Sequence, residues 1–220
     1  MILDNAAAED IERSAGLFGA ERLIVALPSV FYEADIPAVT RLLDACRAAS
    51  LCTEINSWDG WHLARRCGVR IEAGPGLMVL NALAARKLAE LGCASVSISL
   101  EADRRQIEDL CAAASAPLSL TVFGRPPLMR TRVEFRAGVA LGRLFEDSRG
   151  VQMRPRLEGG LTVFRPVEPF ALCDLRNPAI RAAHLVADLV ASPDPVAEWL
   201  AVLDGNHRPR LRFNYERTLR

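Results

Sequence analysis

The chain lacks any apolar run of the roughly 18 residues that a membrane span needs, so no transmembrane role is expected. Its opening stretch, MILDNAAAEDIERSAGLFGA, carries acids early and no continuous apolar segment; neither a secretory signal nor an anchor is expected, and the compartment is read as cytoplasmic. There is no charge excess: 27 basic and 27 acidic residues give a formal net charge of +0, which argues against global attraction to nucleic acid or an acidic membrane. Cys46, Cys52, Cys67, Cys93, Cys111 and Cys173 include no CxxC pair, so neither a zinc site nor a disulfide framework is expected, and they read as buried small hydrophobes. His62, His184 and His207 are the only histidines, and HExxH, GxSxG and a Cys-His-Asn order are all missing. Standard metallo, serine and cysteine protease sites are therefore unsupported. No GxGxxG follows the first strand and no GxxxxGK[ST] occurs, which removes the best support for a nucleotide-binding doubly wound sheet. No metal and no cofactor is expected.

What the chain does have is alternation. With 220 residues, 50% hydrophobic and 25% charged, it reads as one domain over residues 1–220. Residues 70–132 predict a β-α-β-α-β unit: apolar runs at 69–73, 95–100 and 118–123, separated by helical stripes through Leu80, Leu83, Ala84, Leu88 and Leu91, and through Ile107, Leu110, Cys111 and Ala114. Upstream, 4–20 predict a short helix and 22–28 (RLIVALP) a strand. Asp35 is then placed to cap a helix striped by Val39, Leu42, Leu43 and Cys46, and 52–56 form another strand. Downstream, a Glu158-Gly159-Gly160 turn predicts a β-hairpin over about 151–165 inserted in the alternation. A short helix near 178–182, a barrel-type strand at 184–189 and a helix with Val196, Trp199, Leu200 and Leu203 on one face complete the pattern. Such alternation implies parallel strands with helical crossovers, and the fold class expected is α/β, a partial TIM-type (β/α) barrel.

Barrel chemistry sits at the C-terminal strand ends, here Ser29, Glu54, Asn56, Glu72, Ser99, Glu101, Arg125 and Asp188. Glu101 and Glu54 are the candidate acid/base groups, with helix capping as the competing role. Arg125 either binds an anion bidentately or pairs with Glu101 or Glu72 to close the top of the sheet. Asn56 and Asn81 are turn or cap residues that can also contact substrate. Between Arg125 and Arg165 nine arginines face four acids, Glu134, Glu146, Asp147 and Glu158, so this segment is either an RNA-phosphate contact or a solvated hairpin surface.

The order GPGLMVLN, LAELG, VSISLE and VFGRPPLM resembles the collagenase-like peptidase family, peptidase family U-32. The residues that carry the likeness are Asn81, Leu91-Gly92, Ser99-Leu100-Glu101 and Phe123-Gly124-Arg125-Pro126-Pro127-Leu128-Met129. Leu27-Pro28, Asp147-x-x-Gly150 and Phe213-Asn214-x-x-Arg217 extend it. The strand-end positions and this resemblance together give the expected site: Glu101 and Glu54 catalytic, and Arg125, Gly124, Met129, Asn81, Asn56 and Ser99 contacting substrate, with Glu54 and Asn56 included for their place at a strand end. Members that modify RNA bases or quinones carry cysteines after the Phe-Gly-Arg strand that hold an iron-sulfur cluster; residues 124–172 contain none, so that cluster is not expected.

The expectation that follows is a hydrolase, or an enzyme modifying RNA or a small molecule, that binds an anionic small molecule, a peptide or an RNA element. Members also begin with two βα units that this sequence does not show. A homo-oligomer, a barrel-completing partner chain, or a longer protein of which this chain is a portion is therefore expected, and the competing function is a non-catalytic subunit defined by such an interface.

Overall fold

The structure, a computed structural model, describes residues 1–133, 143–172, 177–205 and 211–216. Glu134, Cys173, His207 and Arg217, named above, lie outside them. The chain divides into two compact units, the first built on Met1–Leu120 and Pro178–His184 and the second on Thr121–Asn177 and Leu185–Glu216.

In the first unit, β1 (Ile2–Leu3), α1 (Ile11–Phe18), β2 (Ile24–Ala26), α2 (Ile36–Ala48), β3 (Cys52–Ile55) and α3 (Trp58–Cys67) are followed by β4 (Arg70–Ala73), α4 (Ala82–Glu90), β5 (Cys93–Ser97), α5 (Arg104–Ala113) and the start of β6 (Leu118–Gly124). Each strand lies parallel to the next, in the order β1-β2-β3-β4-β5-β6. The strands step in one direction along the sheet, the order in which crossovers of the usual right hand place their helices on one face. The mostly parallel sheet read from the alternation is present, in the single-wound order of a partial barrel.

The two faces differ in chemistry. Side chains alternate along a strand, so Val25, Ile55, Ile71 and Ala73 form the apolar side, where Val39, Leu42, Leu43 and Cys46 of α2 are buried. Thr53, fully buried, has the Cys46 thiol as its neighbour on that side. Cys52, Glu54, Arg70, Glu72, Ser95 and Ser97 alternate to the other side and make it polar.

Several local expectations shift. The short helix expected over 4–20 is α1, confined to Ile11–Phe18, with a 3-10 turn at Ala8–Asp10 before it and another at Ala20–Arg22 after it. Asp35 does not cap α2 with its side chain; it accepts from the Tyr32 N–H at 2.8 Å and closes the 3-10 turn before the helix. In α4 Leu88 of the predicted stripe is buried, Leu80, Ala84 and Leu91 are half-buried, and Leu83 is exposed while Ala85 is buried in its place. Residues 178–182 hold a turn at 178–179 rather than a helix. Among the described residues no helix is long and apolar enough to cross a membrane.

In the second unit the expected hairpin is β9 (Gln152–Glu158) and β10 (Leu161–Pro166), closed through Gly159 and Gly160, both at positive φ as a two-residue hairpin turn requires. It is part of a larger antiparallel sheet, with β7 (Met129–Thr131) and β8 (Phe145–Glu146) at its edges in the order β7-β10-β9-β8. The end of β6 pairs antiparallel with β11 (Phe170–Ala171), and β12 (His184–Asp188) also pairs with β6. Phe213 stacks on Phe170 at 4.8 Å. A side chain at Gly124 would meet the Asp188 carbonyl oxygen at 2.5 Å, and its φ of +143° disfavours any other residue.

Two buried guanidiniums organise this unit. Arg165 donates to both oxygens of Glu158 at 2.9 and 2.8 Å and to the Arg125 carbonyl at 2.7 Å, with Asp188 at 3.6 Å. Arg125 donates from Nη1 and Nη2 to the Glu198 carboxylate at 2.8 and 2.7 Å and from Nε to the Val167 carbonyl at 3.0 Å. Its carboxylate partner is thus Glu198, on α6 (Pro195–Leu203), where Glu101 or Glu72 was expected.

Removing one member of so dry a pair leaves the other charge without compensation. Arg125→Ala is expected to lower the unfolding free energy by roughly 3–5 kcal/mol, and Arg125→Met combined with Glu198→Leu by much less. Denaturant titration of the single and double variants checks this; a single-variant loss below about 1 kcal/mol would place the pair with solvent-screened surface ion pairs.

Candidate functional site

Asn56 follows immediately on β3, where the strand leaves the sheet. Its Nδ2 donates to the Leu27 carbonyl at 3.2 Å, just past β2, and to Glu54 Oε1 at 3.0 Å, while its Oδ1 accepts the Gly76 N–H at 3.0 Å. One carboxamide thereby ties the exits of β2, β3 and β4. The third of these is Gly74-Pro75-Gly76, and its composition follows from the contact. A Cβ on Gly74 would run into Asn56 Oδ1 and stand 2.7 Å from Glu54 Cγ, and one on Gly76 would run into the Asn56 backbone. Pro75 opens a 3-10 turn over Pro75–Leu77 that ends at Met78 in the left-handed region, φ 55° and ψ 48°, an uncommon place for a methionine.

The β5 exit joins the same group. Ser99 N–H donates to the Val79 carbonyl at 3.0 Å, and Ser99 Oγ lies 3.7 Å from Met78 Sδ and accepts the Glu101 N–H at 3.1 Å. Four successive strand ends are thus linked by direct hydrogen bonds.

Glu54 is 8% exposed and stands in register with Glu72 on β4. Between Ile71 and Ala73 the pairing of β4 with β5 slips by one residue, and Ser95, in the slipped part of β5, donates from Oγ to Glu72 Oε2 at 2.8 Å. One oxygen of each carboxylate is therefore held by a neutral donor. Two residues earlier on β3, Cys52 is in register with Arg70. Burial, and after it the Glu72 charge, pushes the Cys52 thiol up to about 11, so it is a protonated, inert group at neutral pH. Burial likewise raises Cys46 and Cys93. Exposed Tyr32, Trp58 and Met78 belong to the connections that follow β2, β3 and β4. Trp58 packs edge-on to Trp61 at 6.2 Å, and Trp61 Nε1 is buried without a hydrogen-bond partner.

The residues singled out in the sequence separate. Glu54 and Asn56 are in direct contact, and Ser99 and Glu101 share a hydrogen bond one strand further along. Glu101 is exposed in the turn after β5, and Asn81 caps α4 by accepting from the Ala84 N–H at 2.9 Å. Gly124, Arg125 and Met129 belong to the second unit, where Met129 is half exposed on β7. Met78, Ser95 and the contact made by Gly76 were not anticipated; the Gly-Pro-Gly step after a predicted strand was the available signal for the last. Among the described residues no three His, Cys, Asp or Glu side chains converge as a metal site would require. The arrangement can hold a carboxylate in place beside a bound group, and move a proton to or from it. No protein-family model, no curated protein and no solved structure matches the chain.

The raised thiols set a direction for pH dependence. Cys52 ionises near 9 when unfolded and near 11 when folded, so its contribution to stability is intact below pH 9 and lost as pH climbs toward 11. The loss is on the order of 2–3 kcal/mol by pH 11, with further decline from Cys46 and Cys93. Urea unfolding at about pH 8 and about pH 10, on the parent chain and on Cys52→Ser, should show a shallower alkaline decline in the variant; equal declines would rule Cys52 out as a contributor.

Proposed function

We propose that the chain is a TIM-type barrel protein of the collagenase-like peptidase (U-32) kind, and that it binds a peptide or small polar molecule over the strand exits of the first unit and hydrolyses it with Glu54 as the acid/base group. The observation that carries this reading is the Asn56 bridge. It holds a nearly buried carboxylate at the C-terminal end of a parallel strand, against a loop whose glycines let the backbone approach. That is where (β/α) architectures put their chemistry, and a carboxylate fixed by a neutral amide stays available to take a proton.

The same geometry narrows the ligand. A face presenting Glu54 and Glu72 attracts a neutral or cationic group in preference to the anion suggested by Arg125, whose Nε, Nη1 and Nη2 are all committed internally. An RNA ligand gains no support from Arg125 and Arg165, two of the nine arginines that suggested it, because both are held in buried ion pairs. A second reading, a subunit that works through an interface, draws on the exposed apolar side of α6, with Val196, Trp199, Leu200 and Leu203.

Turnover of a quenched-fluorescence peptide library by the purified chain tests the hydrolase reading. Glu54→Gln is expected to lower kcat by about 100-fold or more with little change in KM, the loss typical for a removed acid/base group. Absence of turnover by the parent chain, or undiminished turnover by a folded Glu54→Gln variant, would overturn the assignment.

A further inference from the structure

We infer that the polar face of the first unit carries a subsite for a polyhydroxylated group, a monosaccharide or a cyclitol, built from Ser97 and Ser119 beside the Glu72 carboxylate. This rests on the reading that the ligand lies over that face, and it names the ligand's chemical class. Ser97 on β5 and Ser119 on β6 stand in register, so both project to the side that holds Ser95, Glu72 and Glu54. They are 9% and 7% exposed, and among the described residues neither hydroxyl has a hydrogen-bond partner. Buried hydroxyls are ordinarily paired, because an unpaired one carries the full cost of leaving water. Ser95, on the same face, is paired, donating to Glu72 at 2.8 Å, so the unpaired state is particular to positions 97 and 119. Nor are these two oxygens sealed in. Among the described residues the side-chain atoms both fully enclosed and unpaired are Thr53 Oγ1, Trp61 Nε1 and Ser192 Oγ, so Ser97 and Ser119 remain within reach of a ligand.

Donor and acceptor chemistry selects that ligand. Glu72 offers carboxylate oxygens, which only accept, whereas each serine hydroxyl both donates and accepts. An ammonium or guanidinium carries donors alone and leaves both serine protons unmet. A phosphate or carboxylate carries acceptors alone and is repelled by Glu54 and Glu72. A hydroxyl group does both: one donates to Glu72 in a charge-assisted bond, and its neighbours accept from Ser97 and Ser119. Groups of that kind side by side on one ring suit the spacing, since β4, β5 and β6 follow one another at about 4.8 Å.

The test is saturation-transfer NMR on the full chain with D-glucose, D-ribose and myo-inositol as hydroxylated probes, agmatine as a donor-only cation and succinate as an acceptor-only anion. Transfer to at least one hydroxylated probe is expected, with its dissociation constant raised about 10-fold or more in Ser97→Ala/Ser119→Ala. The Tm of that variant should equal or exceed the parent's, because the hydroxyls removed make no bond within the protein. Transfer to none of the hydroxylated probes, transfer to agmatine or succinate alone, unchanged binding in the double variant, or a lowered Tm that gives the hydroxyls a role in the fold would each overturn the inference. The readout is binding, so a chain that binds these probes and cleaves no peptide overturns the hydrolase reading alone, and one that cleaves peptides and binds no probe overturns this inference alone.

Discussion

At the end of β3 the Asn56 carboxamide directs both amide protons and its oxygen to three neighbouring segments: the Leu27 carbonyl, the Glu54 carboxylate and the Gly76 N–H. Parallel strands end with unpaired backbone groups, and buried ones must find partners. Asn56 supplies two of them and so fixes how the loops after β2, β3 and β4 sit against one another. The dependence runs both ways, because the bridge forms only if the β4 exit can come within contact of it. That is why bare glycines stand at 74 and 76, and why the left-handed turn is completed at Met78. The position of Ser99 follows in turn, since the strand beyond β5 pairs with Val79 next to that turn.

The second unit meets the same problem, buried polar groups, with charge. Arg125 and Arg165 are buried, and each is paired bidentately with a glutamate, Arg165 also bonding the Arg125 carbonyl. Such pairs contribute little net stability compared with apolar packing, but they are intolerant of misplacement, so they specify arrangement. The arrangement specified is the orientation of α6: the helix is held by Glu198, and Val196, Trp199, Leu200 and Leu203 on its other side are exposed.

Chemically, the first unit separates an apolar sheet face from a polar one, and the polar one is graded. Cys52 and Arg70 lie earlier along the strands, Glu54 and Glu72 later, and Ser99 and Met78 at the exits. A carboxylate at the strand end is held beside a thiol, Cys52, that burial keeps protonated, and the Arg125 guanidinium is committed to Glu198.

Much of this was legible in the residues. The stripe Val39, Leu42, Leu43, Cys46, the Gly159-Gly160 turn and the strand-end position of Glu54 and Asn56 all follow from local periodicity and turn chemistry, which act over a few residues and survive into the fold. The failures share a cause. Whether Leu83 or Ala85 of α4 turns inward depended on the packing of that helix on β5, the slip that accompanies the Ser95–Glu72 contact depended on a neighbouring strand, and the partner of Arg125 lay 73 residues away on a helix whose stripe gave no hint of which side faced in. Sequence by itself determined the elements, their alternation and the residues at the strand ends, because those are set by short-range sterics and hydrophobic period. Only the tertiary structure decided which carboxylate each cation meets and which face of α6 stays exposed, because ion pairing and burial are settled between segments distant along the chain.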